Sequence, residues 1–479
     1  MDSEVSIFKM IKAKFRKLIP KNKFVKNASI IVGGTAFAQL MLVLAAPILT
    51  RIYAPEYFGV LAVFISLYSI IVIFSTMRYD IAIPLPESDE DAINLVALSF
   101  LLLIFTTMLI GLLSFFYGEL ICNFLSVPVL ANYIWLLPFG LVVGGAYLIL
   151  NQWNVRKKHF GRIGATKIRQ SIATLTIQLS AFSFGAISLI IGQVAGQGIG
   201  VTSLSRPDFN KCSWKGILKV AIRYNRFPKF STPAGIFRVS AHELPPLILA
   251  PFFGPAAAGM YALTNRVLAL PATVMGSAVG QVFYADAAES LRNGTFAQLV
   301  RNFHSKLAFI GMPPLILLLI LGPNLFELIF GLDWKQAGDF ARWLSVWVYF
   351  VFVSSPLTTI TAVLEKQKQG MVFHLSLFLA RATALYIGVG SGDLMNTIII
   401  LAIVNTLWRL GFLIWLYSLS GNKPTLFIMD TLKALIYCLI VFIPLILVMV
   451  TSPANWVFGL GISLFLNAIY YWRLMKQAY

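Results

Sequence analysis

From residue 27 to residue 473 the chain returns again and again to apolar runs of about 18 to 26 residues, each long enough to cross a hydrocarbon core of about 30 Å as a helix. The runs fall at 27–50, 58–79, 92–117, 130–151, 165–183, 185–203, 230–250, 257–283, 304–323, 341–363, 371–389, 394–417, 431–450 and 455–473. They predict an all-α polytopic membrane protein with about fourteen transmembrane helices. Composition excludes the alternative of two or three soluble domains, since 58% of residues are hydrophobic, only 12% are charged, and the mean hydropathy is +0.81. The basic leader and the first run, which contains Ala45-Ala46, look superficially like a signal peptide. That run is about 24 residues long, exceeding a signal h-region, and many spans follow, so it is read as the first membrane helix.

A net charge of +19 could suggest a nucleic-acid partner, but no polar domain is long enough to carry a basic patch, and the charge is read as topology. With basic residues near the span ends counted with the adjoining loop, 31 of the 38 Lys and Arg residues fall in tails and loops assigned to the inside, three outside (Arg51, Lys335, Arg342) and four deep within spans. Both termini are therefore expected in the cytoplasm. The same rule resolves the stretch from Gly164 to Ser203, where only Gly185 marks a turn: basic clusters at Arg156–Arg169 and Arg206–Lys229 flank it, so the segment crosses and returns. Residues 1–26 carry eight basic residues between helically spaced Ile7, Phe8, Ile11, Phe15 and Leu18, the pattern of an amphipathic helix on anionic lipids. Residues 204–229 repeat that pattern, with Trp214, Ile217, Leu218, Ala221 and Ile222 on one face and Lys215, Lys219 and Arg223 on the other. They are read as a surface-lying linker between a six-helix unit at 27–203 and another at 230–417, with two added helices at 430–474. Cys122, Cys212 and Cys438 show neither disulfide nor zinc spacing.

The two units share short matches in register. Ala54-Pro55-x-x-x-Gly59 corresponds to Gly254-Pro255-x-x-x-Gly259, at an offset of 200. Glu119-Leu120-Ile121 and Trp135-Leu136 correspond to Glu327-Leu328-Ile329 and Trp343-Leu344, at an offset of 208. Repeats displaced by six spans keep the same orientation, so the units should be related by a pseudo-twofold along the membrane normal, as in transporters that rock two bundles around a central site. The Pro55 connection and its copy at Gly254–Gly259 are then expected on the hinge side, setting the two bundles in equivalent positions.

The six-six-two plan, the RIYAPEYFGVLAVF connection, the MRYDIAIPLPESDEDA segment and the ELIFGLDWKQAGDFARWLSVW segment together resemble the polysaccharide flippase family of the multidrug, oligosaccharidyl-lipid and polysaccharide exporter superfamily. The resemblance implies a V-shaped pair of six-helix bundles around a cavity. It also implies transfer of an undecaprenyl-diphosphate-linked oligosaccharide, a surface polysaccharide unit of the O-antigen type in lipopolysaccharide, from the inner to the outer leaflet of a bacterial cytoplasmic membrane. Polymerase and chain-length proteins are the implied partners, a monomer the implied state, and no cofactor is expected.

Four arginines lie inside spans: Arg238, Arg266, Arg381 and Arg409. Facing lipid, four would cost roughly 10 to 14 kcal/mol, comparable to the stability of a whole domain. They are expected to line a cationic cavity and hold diphosphate oxygens with guanidinium forks, or, for Arg266 and Arg409 nearer the span ends, to snorkel. His242 and Glu243 could couple transport to protons, or Glu243 could pair with an arginine. Arg78 and Asp80 close the second span, where Arg78 either receives the headgroup at the inner mouth or acts as a positive-inside anchor neutralised by Asp80. The Ser88-Asp89-Glu90-Asp91 cluster fits an N-cap and acidic first turn rather than a metal site. Gln39, Gln178, Gln193, Gln197, Asn265 and Asn405 could bind sugar hydroxyls or pair helix to helix.

The alternatives are a flippase for the peptidoglycan lipid precursor, a cation-coupled drug exporter, and a membrane polymerase or glycosyltransferase. The drug exporter is disfavoured because the first span has no Asp or Glu to bind a cation. An enzyme would place its acids and bases in sizeable outside loops, and the longest here, around 323–341, is short.

Overall fold

A computed structural model of the chain describes residues 23–364 and 366–478. Most of the basic N-terminal segment, residues 1–22, lies outside the described residues. The rest is helical. The first span divides into α1 (Lys23–Leu44) and α2 (Ala46–Ile52), because Pro47 cannot donate to the turn before it. There follow α3 (Pro55–Ser75), α4 (Asp89–Phe124), α5 (Leu136–Arg156), α6 (Phe160–Ser180), α7 (Ala186–Ser203), the short α8 (Trp214–Arg223), α9 (Thr232–Phe253), α10 (Pro255–Arg292), α11 (Phe296–Phe330), α12 (Lys335–Leu357), α13 (Ile360–Val363), α14 (Gln367–Gly390), α15 (Leu394–Leu419), α16 (Pro424–Thr451) and α17 (Trp456–Ala478). Each expected span has its helix. Among the described residues nine spans are long and apolar enough to cross a membrane by composition alone. The others include α6, α9, α10 and α14, which carry Lys167, Arg238, Arg266 and Arg381 within their bounds.

Several helices outrun their apolar runs. α4 gains an acidic first turn capped by Ser88, whose hydroxyl accepts the Asp91 amide at 3.1 Å, in keeping with the capping reading. Asp89 pairs with Arg156 and Lys157, and Asp91 with Lys219 and Arg223, so the acidic cluster anchors two basic connections. The turn between α6 and α7 falls at Gly185, where φ is +65°.

Helix packing repeats with the six-span offset. In the first half α1 packs on α6, α6 on α7, α4 on α5, and both α3 and α7 on α5. The second half reproduces each pairing: α9 on α14, α14 on α15, α11 on α12, and both α10 and α15 on α12. Between the halves α3 meets α9 and α10, and α10 also meets α1. One hydrophobic core runs through this junction, joining Leu49, Phe58 and Phe64 to Ala257, Tyr261 and Trp334. The last two helices pack outside this scheme, α16 against α11, where Asp430 accepts from Arg301 at 3.2 Å.

The Pro55 connection packs directly against its own copy. A Cβ on Gly59 would lie 1.8 Å from the Pro255 carbonyl oxygen, and one on Gly259 would lie 2.1 Å from that of Pro55. The two copies of the repeated motif therefore meet backbone to backbone, each glycine under the other's proline. They form a seam between the halves.

Candidate functional site: a polar cavity between the halves

The seam closes one end of the molecule, here the far end, opposite the basic loops. Trp334, from the ELIFGLDWKQ segment, is buried there; its indole N–H donates to the Thr50 carbonyl at 3.0 Å, and its ring meets Phe58 edge-on at 5.0 Å. Tyr53, fully enclosed, hydrogen-bonds the Gln178 carbonyl and Ser188. Two of the segments that carried the family resemblance thus converge on this closure.

Next to it lies a cavity of about 470 Å³ between the halves. α1 contributes Gln39, α3 Ser66, α7 Gln193, α9 His242 and Glu243, and α10 Tyr261, Asn265 and Arg266. The Ser66 hydroxyl donates to Glu243 Oε2 at 2.9 Å, a hydrogen bond that links α3 of one half to α9 of the other. Ser66 and Tyr261 were not foreseen from the sequence, because an isolated hydroxyl in an apolar run has no pattern to mark it. Of the six amides named from the sequence, Gln39, Gln193 and Asn265 line the cavity, whereas Gln178, Gln197 and Asn405 bond between helices to Leu189, Gln170 and Arg381.

The arginines do not gather in one place. Arg266 lines the cavity. Arg381 does not: it is 1% exposed, its Nε donates to Asn405 at 2.7 Å, a terminal N–H donates to the Ala241 carbonyl, and its guanidinium lies 4.9 Å from the Trp347 ring. These partners belong to α15, α9 and α12, so Arg381 binds the second half together and is not among the residues that line this cavity. Arg409 is likewise absent from the lining; it is half-buried beside the Trp408 and Phe412 rings, with Nε unpartnered. With Arg266 and Glu243 both present, the cavity wall holds an acidic as well as a basic side chain.

A second group lies toward the basic end. After α3 the backbone turns left-handed at Met77 and Arg78 (φ 46° and 60°), which carries the Arg78 side chain against Gly235 of α9. Arg238, exposed on α9, is one turn beyond Gly235 and close enough for its charge to act on Arg78. Burial pulls the Arg78 pKa down, with Asp80 opposing and Arg238 adding to the shift. Arg78 Nε is buried without a partner. Asp80 is itself buried and accepts from the Thr76 hydroxyl at 2.7 Å. Along α9, Gly235, Arg238 and the His242-Glu243 pair follow at intervals of about one turn, so this cationic pair leads directly into the cavity.

No metal-binding cluster of His, Cys, Asp or Glu is present among the described residues. The fold is similar to that of a solved structure described as the lipid II flippase MurJ in an inward closed conformation, with 13% identity, 92% of this chain and 98% of that chain covered, and a TM-score of 0.71. It is also similar to an inward-facing multidrug resistance MATE family transporter of the MOP superfamily (12% identity, 81% and 98% covered, TM-score 0.63) and to a point mutant of the Vibrio cholerae MATE transporter VcmN (14% identity, 82% and 96% covered, TM-score 0.54). No curated protein matches the sequence. The model of the polysaccharide biosynthesis protein family matches residues 48–339, more than half of the chain, and the chain is a member of that family.

Proposed function

We propose that the protein is a flippase that moves a diphosphate-linked lipid oligosaccharide, the repeat unit of a surface polysaccharide, across the bacterial cytoplasmic membrane by alternating access. The observation that carries this reading is the polar cavity between two equivalently packed halves, sealed at the far end and preceded by the Arg78–Arg238 pair. Two neighbouring guanidiniums, one with a buried unpartnered N–H, suit phosphate oxygens. The amides and hydroxyls beyond them suit sugar hydroxyls. The basic end faces the cytoplasm in this reading, so the headgroup enters past Arg78 and Arg238, occupies the cavity beside Arg266, and leaves when the Gly59–Gly259 seam parts. The isoprenoid tail stays in the bilayer throughout.

Peptidoglycan precursor and surface-glycan carriers share the diphosphate lipid, so this site is suited to what they have in common; membership in the polysaccharide family favours the surface glycan. The test is translocation of lipid-linked oligosaccharide in a flippase-null strain. Each charge-assisted contact is worth about 1.5 to 3 kcal/mol, so Arg78→Ala with Arg238→Ala should lower transport on the order of a hundredfold or more. Transport unchanged in that double variant would overturn the proposal.

A further inference from the structure

The linker helix α8 divides its surface into three stripes. Ile217 and Val220 are buried, packed toward α4. Lys215, Lys219 and Arg223 form a second, exposed stripe at four-residue spacing. The third stripe is apolar and also exposed: Trp214 at 66%, Leu218 at 49% and Ile222 at 72%, again at i, i+4, i+8. The sequence merged the first and third stripes into one apolar face, and the fold separates them.

Two contacts hold the helix at a definite level. The Ser213 amide donates to Asn94 in the second turn of α4, and the Tyr79 hydroxyl donates to the Ala221 carbonyl. α8 therefore lies across the polar ends of spans, between the end of α7 and the start of α9, with its apolar stripe at the depth where α4 passes from its acidic first turn into its apolar run. The neighbour available at that depth is the lipid leaflet that the flanking spans enter. A basic stripe set beside a Trp-containing apolar stripe matches anionic headgroups over acyl chains.

We propose that α8 is a docking element for anionic lipid, with Trp214, Leu218 and Ile222 inserted among the acyl chains and Lys215, Lys219 and Arg223 at the headgroup phosphates. Because Tyr79 follows Arg78 directly and is bonded to α8, this docking also positions the loop that holds Arg78. The docking itself does not depend on what the cavity carries.

The test places a nitroxide label at Leu218→Cys in the full chain, with Cys212→Ser to remove the one partly exposed native thiol. The protein is reconstituted in phosphatidylcholine alone or in an equal mixture with phosphatidylglycerol. In the mixture, dissolved oxygen should relax the label several-fold more strongly than a water-soluble nickel complex. Lys215→Gln with Lys219→Gln and Arg223→Gln should remove the difference between the two lipid compositions. As Lys219 and Arg223 also pair with Asp91, Lys215→Gln alone serves as a second variant and should reduce that difference. The nickel complex reaching residue 218 as freely as oxygen would overturn the proposal. So would exclusion of both reagents in every composition, which would mean that protein covers the stripe, or equal insertion in both compositions, which would mean that anionic lipid is not recognised.

Discussion

Replacing Arg381 with alanine would leave the Asn405 side-chain oxygen and the Ala241 carbonyl without the donor they share inside the second half. A buried acceptor left unpaired costs about 1 to 3 kcal/mol, so Arg381→Ala should destabilise by roughly 2 to 6 kcal/mol and lower the melting temperature of the purified protein. Arg266→Ala should behave in the opposite way, with stability changed by no more than about 1 kcal/mol and transport reduced, because its side chain meets the cavity. Equal melting temperatures for the two variants would contradict this division. The sequence separated them the other way, setting Arg381 in the cavity and allowing Arg266, nearer a span end, to snorkel, because span position was all it offered: each is an arginine in an apolar run with no acid one turn away. The difference lies in what faces them: Arg381 meets a carbonyl of α9 and an asparagine of α15, and Arg266 meets the cavity. Arg78 was legible as a candidate only through its position at a span end. Its left-handed backbone and its neighbour Gly235 come from a turn that no residue pattern announces.

At the scale of elements, α3 and α10 meet too closely to admit a Cβ at either glycine, with each glycine against the carbonyl of the other's proline. A methyl group at Gly59 or Gly259 cannot be accommodated without parting the helices, at a cost of about 1 to 3 kcal/mol to the sealed state. If the seam is the outer gate, Gly59→Ala and Gly259→Ala should each shift the balance toward an opened far end by roughly 5- to 150-fold. A cysteine introduced at Ala62, which lines the cavity, would then react faster with a membrane-impermeant thiol reagent added from outside. No change in labelling would mean that the seam is not the gate. The repeat itself is readable as two Pro-x-x-x-Gly copies 200 residues apart. Their contact is not readable there, because a one-dimensional repeat says that two segments are equivalent and not that they touch. Equivalent segments touch when both lie against the pseudo-symmetry axis, and helix packing places them there.

For the molecule as a whole, the distribution of basic residues predicts that the ends of α5, α7 and α9 nearest the basic loops, and with them the C-terminus, face the cytoplasm. A fluorescent reporter fused after residue 479 should therefore fold and fluoresce, and an alkaline phosphatase fusion at the same point should be inactive; the reverse pair of results would invert the transport direction proposed above. The amino-acid pattern alone dictated the helical architecture, since a run of about 20 apolar residues satisfies its backbone in lipid only as a helix or in a closed barrel, and the length of these runs selects the helix. It also determined the sites of several turns, where Gly185 and the Ser88 cap dictate local geometry, and the six-span repeat. Which polar residues share a cavity, which join helices, and which motif seals the far end emerged only with the packed fold. Those outcomes depend on the rotation of each helix about its own axis, and that rotation is set by contacts between residues far apart in the chain.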